Sequence, residues 1–423
     1  MSFTSLIQEK IGNSSLKIKN EFIVIAIFLF FTDFFNSLFF PSGSIGAIIK
    51  FCCITYCMLS FTKGYTKFEF KIVLLYILLI VSCLHSIIVY KQNPYHLIVQ
   101  TLEYFSLCSF FLFKKLNFSS QSIFKSLKFL MILMPLCYIF QWFMYPTPFF
   151  AAALDEECIN DIEFRMRFAC TMLSYLAFFF GINYFIIKNK LHYLFYTILG
   201  FIPIIVMGFR SLIAINITLL LVMTFILVVK KKRFLRTAIV FTLILGAGYQ
   251  TPLVQKKVNE MIERSENSET FSNKDYVRNV ALYVYSDYAF SQGSLYFLFG
   301  GGKPLIFEGA GYDASNKYQN IMKQIHSQRI YWGDLGLIGL SFIIGIPTVI
   351  LIVVICLICV YRCKSNEHLF IKFTLLASIL GTGITSAELY RNGNFFCIAL
   401  LLYYIYKYNK EQQDNNLITQ QNS

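Results

Sequence analysis

The sequence of 423 residues predicts an all-α, polytopic integral membrane protein with about 12 transmembrane helices and one large external loop that itself contains helices. Three observations predict this class: the composition, the recurrence of long apolar runs, and the side on which the positive charges fall. The chain is 57% hydrophobic and 14% charged, with 46 Phe and 27 Tyr, whereas a soluble domain carries about 25% charged residues. Apolar segments of about 17 to 22 residues recur along it, the length needed to cross a hydrocarbon core of about 30 Å. A soluble protein of this size would need far more polar surface.

Taken in order, the predicted crossings lie near 22–40, 43–61, 72–90, 96–113, 129–146, 168–187, 192–208, 211–229, 237–252, 335–360, 372–387 and 394–406. An even number places both termini on one side. The connecting segments then alternate in charge. One set holds Lys10, Lys17 and Lys19, then Lys63 to Lys71, Lys114 to Lys128, Lys188 and Lys190, Lys230 to Arg236, Arg362 to Lys372, and Lys407 and Lys410. That set contains 22 basic and six acidic residues, and the opposite set contains 14 basic and 15 acidic. Nearly the whole net charge of +14 therefore belongs to one face, which the positive-inside rule makes cytoplasmic. This distribution reads as membrane topology, with no nucleic-acid partner.

The first apolar run is not a cleavable signal: it contains Asp33, lacks an A-x-A-like site and is followed by another crossing. The expected organisation is helices through residue 252, a loop over 253–329, the last crossings over 330–410, and a disordered tail over 411–423. Of the 12 Cys, most lie inside apolar runs and only Cys158 is clearly external, so neither a disulfide framework nor a zinc motif is implied.

Two external segments exceed a turn. The first, about 147–167, is acidic at Asp155, Glu156, Glu157, Asp161 and Glu163. The second opens with a charged, helical-looking stretch from Gln255 to Glu269, after which Asn273 is placed to cap a helix beginning at Lys274. Along that helix Tyr276, Val280, Tyr283 and Val284 form an apolar stripe. The stripe suits either the outer membrane surface or packing against neighbouring crossings. Gly300-Gly301-Gly302-Lys303-Pro304 follows an apolar run. It lacks a Walker spacing and a strand-to-helix context, so a structural turn is the better reading.

Arg is scarce on the lysine-rich face and as frequent as Lys outside: Arg165, Arg167, Arg210, Arg264, Arg278, Arg329 and Arg391. A retention signal needs only charge, whereas a planar fork suits two-point grip on phosphate or carboxylate. Arg210 sits in Gly208-Phe209-Arg210-Ser211, a short outer turn between apolar runs. It either snorkels to anchor the helix end or meets an anionic headgroup at that depth. His326 precedes Trp332-Gly333-Asp334-Leu335-Gly336 where the loop re-enters the membrane. It is either a solvated loop residue or a group that accepts a proton from a hydroxyl. Asp33 and Glu103 lie within crossings, where a carboxylate faces a polar interior and pairs with Lys50 or an external Arg, or serves a proton path. Glu388 and Arg391 read as a structural ion pair at an outer helix end. No Asp-x-Asp pair and no Walker motif occur, which weighs against metal-dependent nucleotide-sugar transfer and against ATP use.

In three places the sequence resembles the bacterial O-antigen polymerases of the Wzy type and the related O-antigen ligases. Gly208-Phe209-Arg210-Ser211-Leu212 is similar to that family's arginine-serine helix start. Arg278 in a loop helix, followed by Leu298 to Gly302, is similar to its apolar-glycine stretch. His326 followed by Gly333-Asp334-Leu335-Gly336-Leu337-Ile338-Gly339 looks like its histidine signature. Ser327 stands where the ligase-like pattern has Asn, and Asp334 stands near its acidic position, which favours polymerase over ligase.

The resemblance implies a Gram-negative inner membrane and a periplasmic loop. It implies transfer of a glycan from undecaprenyl pyrophosphate onto an incoming lipid-linked repeat unit, with no metal and no cofactor. Arg210, Arg278 and His326 are then the catalytic candidates, with Arg329, Arg391, Glu388 and Asp334 binding substrate. The implied partners are the undecaprenyl-pyrophosphate-linked oligosaccharide, the lipid bilayer, and a chain-length regulator and flippase of the same pathway.

Overall fold

The computed structural model describes residues 19–34, 44–61, 64–144, 149–150, 152–154, 166–207, 210–231, 255, 259, 277–304, 313, 315–328, 330–384, 389 and 393–421. The chain is helical apart from one antiparallel ribbon, β1 (Ala152–Leu154) with β2 (Met166–Phe168), in which Ala153 faces Arg167. The ribbon lies in the acidic segment 147–167, where no strand was expected from the sequence.

The first helices are α1 (Asn20–Phe31), α2 (Ser44–Leu59), α3 (Lys67–Tyr90) and α4 (Pro94–Leu116, with a tight 3-10 turn at Ser106–Ser109). Next come α5 (Ser120–Phe143), α6 (Met172–Lys188), α7 (Leu191–Val206) and α8 (Arg210–Lys231). Of the described helices, α3, α4, α5 and α8 (over Ser211–Val229) are long and apolar enough to cross a membrane. Ile88, Phe143 and Phe225 are exposed on the surfaces of α3, α5 and α8, as expected for helices that are apolar all round.

Local chemistry sets the ends. Thr66 and Glu69 form a reciprocal capping box on α3. Asn93 caps α4 with Pro94 in its first turn. Lys91, Asn117 and Asn189 close α3, α4 and α6 in left-handed conformations. Consecutive helices therefore turn back within a few residues. α6 is the axis of the bundle, buried from Met172 to Ile186 and packed on by α5, α7 and α8 and by α14 (Leu369–Ile384).

One end of the bundle gathers the segments that the charge pattern assigns to one face. Lys125 pairs with Glu21 at 3.4 Å, Lys114 with Glu69 at 2.7 Å and Lys188 with Glu367 at 2.8 Å. Lys407 donates to Asn117 Oδ1 at 2.8 Å, and Arg362 lies 4.6 Å over the Phe68 ring. At the opposite end Asn394 bonds Thr171 and the Met172 amide, both at 3.1 Å.

After α8 come α9 (Val277–Gln292), α10 (Ser294–Phe299) and α11 (Lys317–Ser327). α9 packs inward: Ala281, Tyr285 and Ala289 are buried, while Tyr283 is 68% exposed. The stripe therefore turns onto neighbouring elements and leaves out Tyr283. The expected stretch 255–269, the cap at Asn273 and the crossing 237–252 fall outside the described residues, apart from Gln255 and Asn259.

The run 335–360, expected as one crossing, is two helices, α12 (Gly336–Ile344) and α13 (Ile346–Arg362). Gly345 sits between them at φ 83 and ψ 152, a region open essentially to glycine alone. Pro347 has no N–H to offer the Ile343 carbonyl. The last helix, α15 (Asn394–Gln421), also differs from expectation, since residues 411–421 continue it where a disordered tail was read. Glu411 holds this extension by accepting from the Ser120 amide at 3.2 Å and from the Ser120 hydroxyl.

Candidate functional site

The break between α12 and α13 leaves carbonyls of the α12 C-terminal turn without helical partners. Gly301 and Gly302 fill that need: Gly301 N–H donates to Phe342 O at 2.9 Å and Gly302 N–H to Ile343 O at 3.0 Å. Other side chains hold the segment from its far side. Ser82 Oγ donates to Phe299 O at 2.6 Å, and Gln92 Nε2 donates to Gly301 O at 2.5 Å. Tyr318 OH donates to Gly302 O at 2.9 Å.

His85 Nδ1 lies 2.9 Å from Gly300 O. A carbonyl can only accept, so Nδ1 carries the hydrogen, and in the neutral ring Nε2 keeps its lone pair. Lys303, the next residue along, pairs with Glu103 at 3.1 Å. Asp33 instead takes Lys50 at 2.5 Å, just past the C-terminus of α1.

Of the residues expected to carry chemistry, Arg278, His326 and Asp334 come from elements that meet. Asp334 is in the 3-10 turn Trp332–Leu335. α9, with Arg278 in its first turn, packs on that turn, and Tyr285 OH donates to Ile330 O at 3.5 Å. Burial raises the Tyr285 pKa above the ordinary phenol value, and the Asp334 charge adds to this. His326, in the last turn of α11, lies edge-on to Tyr331 with ring centroids 4.5 Å apart. All three are half-buried.

Arg210 opens α8, a helix that packs on α6 and α14. The outer end of α14 reaches this neighbourhood, because a Cβ on Gly336 would strike the Thr382 carbonyl. One helix thus separates the start of α8 from the Asp334 turn. Arg329, Glu388 and Arg391 lie outside the described residues. Among the described residues no group of His, Cys, Asp and Glu could hold a metal ion.

Sequence reasoning took the glycine run for an ordinary turn and missed its seat. The signal was present as polar Ser82, His85 and Ser86 within one apolar run, with Glu103 in the next. It also missed a cleft of about 450 Å³ beside this seat, bordered by Tyr90, Lys91, Tyr288, Asp313, Lys317 and Tyr318. No protein-family model matches the chain, and no curated protein matches it.

Proposed function

We propose that the chain is a polytopic inner-membrane glycosyltransferase that polymerises lipid-linked repeat units. In this reading it acts on the periplasmic face, with undecaprenyl pyrophosphate as the leaving group. The observation that supports the reading is that α9, which carries Arg278, packs on the turn that holds Asp334, while His326 stacks edge-on to Tyr331 just before that turn. An arginine there neutralises the pyrophosphate as the glycosidic bond breaks. In this reading His326 takes the proton from the attacking hydroxyl, and the Asp334 carboxylate orients the acceptor. Arg210, at the start of α8, is assigned the second contact with the pyrophosphate in this reading.

The topology needed for this has its own support. The lysine-bearing turns meet at one end of the bundle, while α9 to α11 sit on the other, against Tyr90 and Lys91. α8 ends towards the lysine-rich end and α9 lies at the opposite one, which supports the further crossing expected over residues 237–252. That crossing gives about 12 in all and leaves both termini cytoplasmic.

The test is the surface polysaccharide of cells carrying Arg210→Ala or Arg278→Ala. Membrane levels stay unchanged and long-chain polymer disappears, leaving single repeats on the lipid A core. Long polymer left unattached to the core identifies a ligase instead, and repeat units held on the inner leaflet identify a flippase. Unaltered chain length in both variants removes the pyrophosphate role.

A further inference from the structure

The cleft beside the glycine seat is built from two kinds of surface. Tyr90, Tyr288 and Tyr318 form its aromatic side, with the Tyr90 and Tyr318 ring centroids 4.7 Å apart and those of Tyr288 and Tyr318 6.1 Å apart. Tyr318 is committed to Gly302 O, but the Tyr90 and Tyr288 hydroxyls have no hydrogen-bond partner among the described residues. Burial raises the Tyr288 pKa above the usual phenol value, so this group stays a donor.

Lys91 and Lys317 stand at the rim, both exposed and neither in an ion pair among the described residues. The one carboxylate there, Asp313, already accepts from the Ser315 amide at 2.9 Å and hydroxyl at 2.6 Å. The rim is also rigid. Lys91 is held at φ 53, and Asn316 Nδ2 clamps the Tyr90 and Lys91 carbonyls at 2.9 and 3.0 Å. A non-glycine residue fixed in the left-handed region marks a position that the surroundings over-determine.

We propose that this cleft binds an acidic saccharide, a sugar bearing a carboxylate, with the ring on the tyrosines and the anionic group between Lys91 and Lys317. The chemistry selects this class. The aliphatic face of a pyranose packs on phenol rings, free phenol hydroxyls bond its hydroxyl groups, and two ammonium groups at the rim favour an anion between them. The volume, about 450 Å³, lies within the usual range for a small-ligand site. The proposal rests on the glycosyltransferase reading for its biological role and names the substrate class of that enzyme. The cleft lies at the Tyr90 end of α3 and shares α9 with the Asp334 turn, so in this reading it holds the far end of a growing or incoming glycan during transfer.

The experiment uses the full-length protein in nanodiscs with digalacturonate and sialyllactose as acidic probes. Digalactose, lactose and inorganic phosphate are the comparators, and binding is read by calorimetry. Each acidic probe binds at least tenfold more tightly than its neutral counterpart. The double variant Lys91→Met/Lys317→Met removes that preference, and Tyr288→Ala weakens both classes of sugar tenfold or more. Unchanged unfolding midpoints show that the variants remain folded.

Equal affinity for acidic and neutral sugars overturns the proposal, as does binding that ignores all three substitutions. Phosphate binding as tightly as the acidic sugars reduces the site to an anion site and also overturns it. Failure here is separable from failure of the polymerase reading. Loss of polymer in Arg278→Ala cells without cleft binding defeats only the cleft, whereas cleft binding with unaltered polymer in those cells defeats only the polymerase.

Discussion

Replacing Gly300 by Ala tests whether the glycine run is a wedge that unites the loop with the helix bundle. Gly300 sits at φ 71 and ψ 176, a region that costs any other residue about 1–3 kcal/mol. The added Cβ would also strike the Ile343 carbonyl and the Ile344 amide nitrogen, which are backbone atoms with no rotamer to move. Relief requires the segment to retreat, breaking Gly301 N–H to Phe342 O and Gly302 N–H to Ile343 O. Each of these contributes about 1 kcal/mol net, so the total loss comes to about 3–5 kcal/mol.

Gly293 is the control. Its φ is 86 and its ψ −174, but a Cβ there meets nothing within 4 Å. Gly293→Ala therefore loses only the strain, about 1–3 kcal/mol. Denaturant unfolding of the two purified variants gives the comparison, and limited proteolysis after Lys303 reports whether the segment has left its seat. If both variants lose the same stability and Lys303 stays protected, the clash with α12 is not what holds this segment.

Two further outcomes follow from charges whose surroundings differ. In the Asp33–Lys50 pair the Lys50 side chain is 3% exposed and the Asp33 side chain 30%. Asp33→Asn strands a buried ammonium and costs about 3–5 kcal/mol, whereas Lys50→Met leaves a carboxylate that water can reach and costs about 1–3 kcal/mol. Equal losses in denaturant unfolding would refute this asymmetry. Asp313 has its pKa lowered from 3.8 by the Ser315 hydroxyl and amide. Its contribution is therefore complete above the unfolded value and disappears as pH falls through the lower folded one. The unfolding-midpoint difference between wild type and Asp313→Asn should be flat above the ordinary carboxylate range and fade as pH drops through the lowered folded value; a difference that persists in full at the acid end contradicts the assignment.

What could be read from the sequence follows from the range of the forces involved. Helix positions were legible because apolar run length and capping residues act locally: the α3 cap at Thr66 and the Asn93-Pro94 start of α4 are written in adjacent residues. The pairing of charges at one end was legible because it needs only alternation. The break at Gly345 was half legible. Gly345-Ile346-Pro347 is a local breaker, but an apolar run of that length reads as one crossing unless something else supplies the missing hydrogen bonds. What supplies them is more than 40 residues away in sequence, at Gly301 and Gly302. The partner of Glu103 was hidden for the same reason: Lys303 is brought to it only by the seating of the glycines. The cleft was invisible because its lining comes from α3, α9 and α11 at once.

These hidden contacts make the loop and the bundle one mechanical unit. The Tyr318 hydroxyl on the cleft's aromatic side is bonded to Gly302 O, and Gly302 N–H is bonded to α12 at Ile343. α12 begins at Gly336, directly after the turn that carries Asp334. A continuous path of hydrogen bonds and helix backbone therefore joins the cleft to the turn that carries Asp334. Its middle is a glycine segment whose conformation other residues do not adopt. A loop tethered only at its ends would let these two places drift relative to each other. Seated in the broken helix, the loop holds them at a fixed separation, which is what the proposed transfer would need if one glycan is gripped in one place and joined in another.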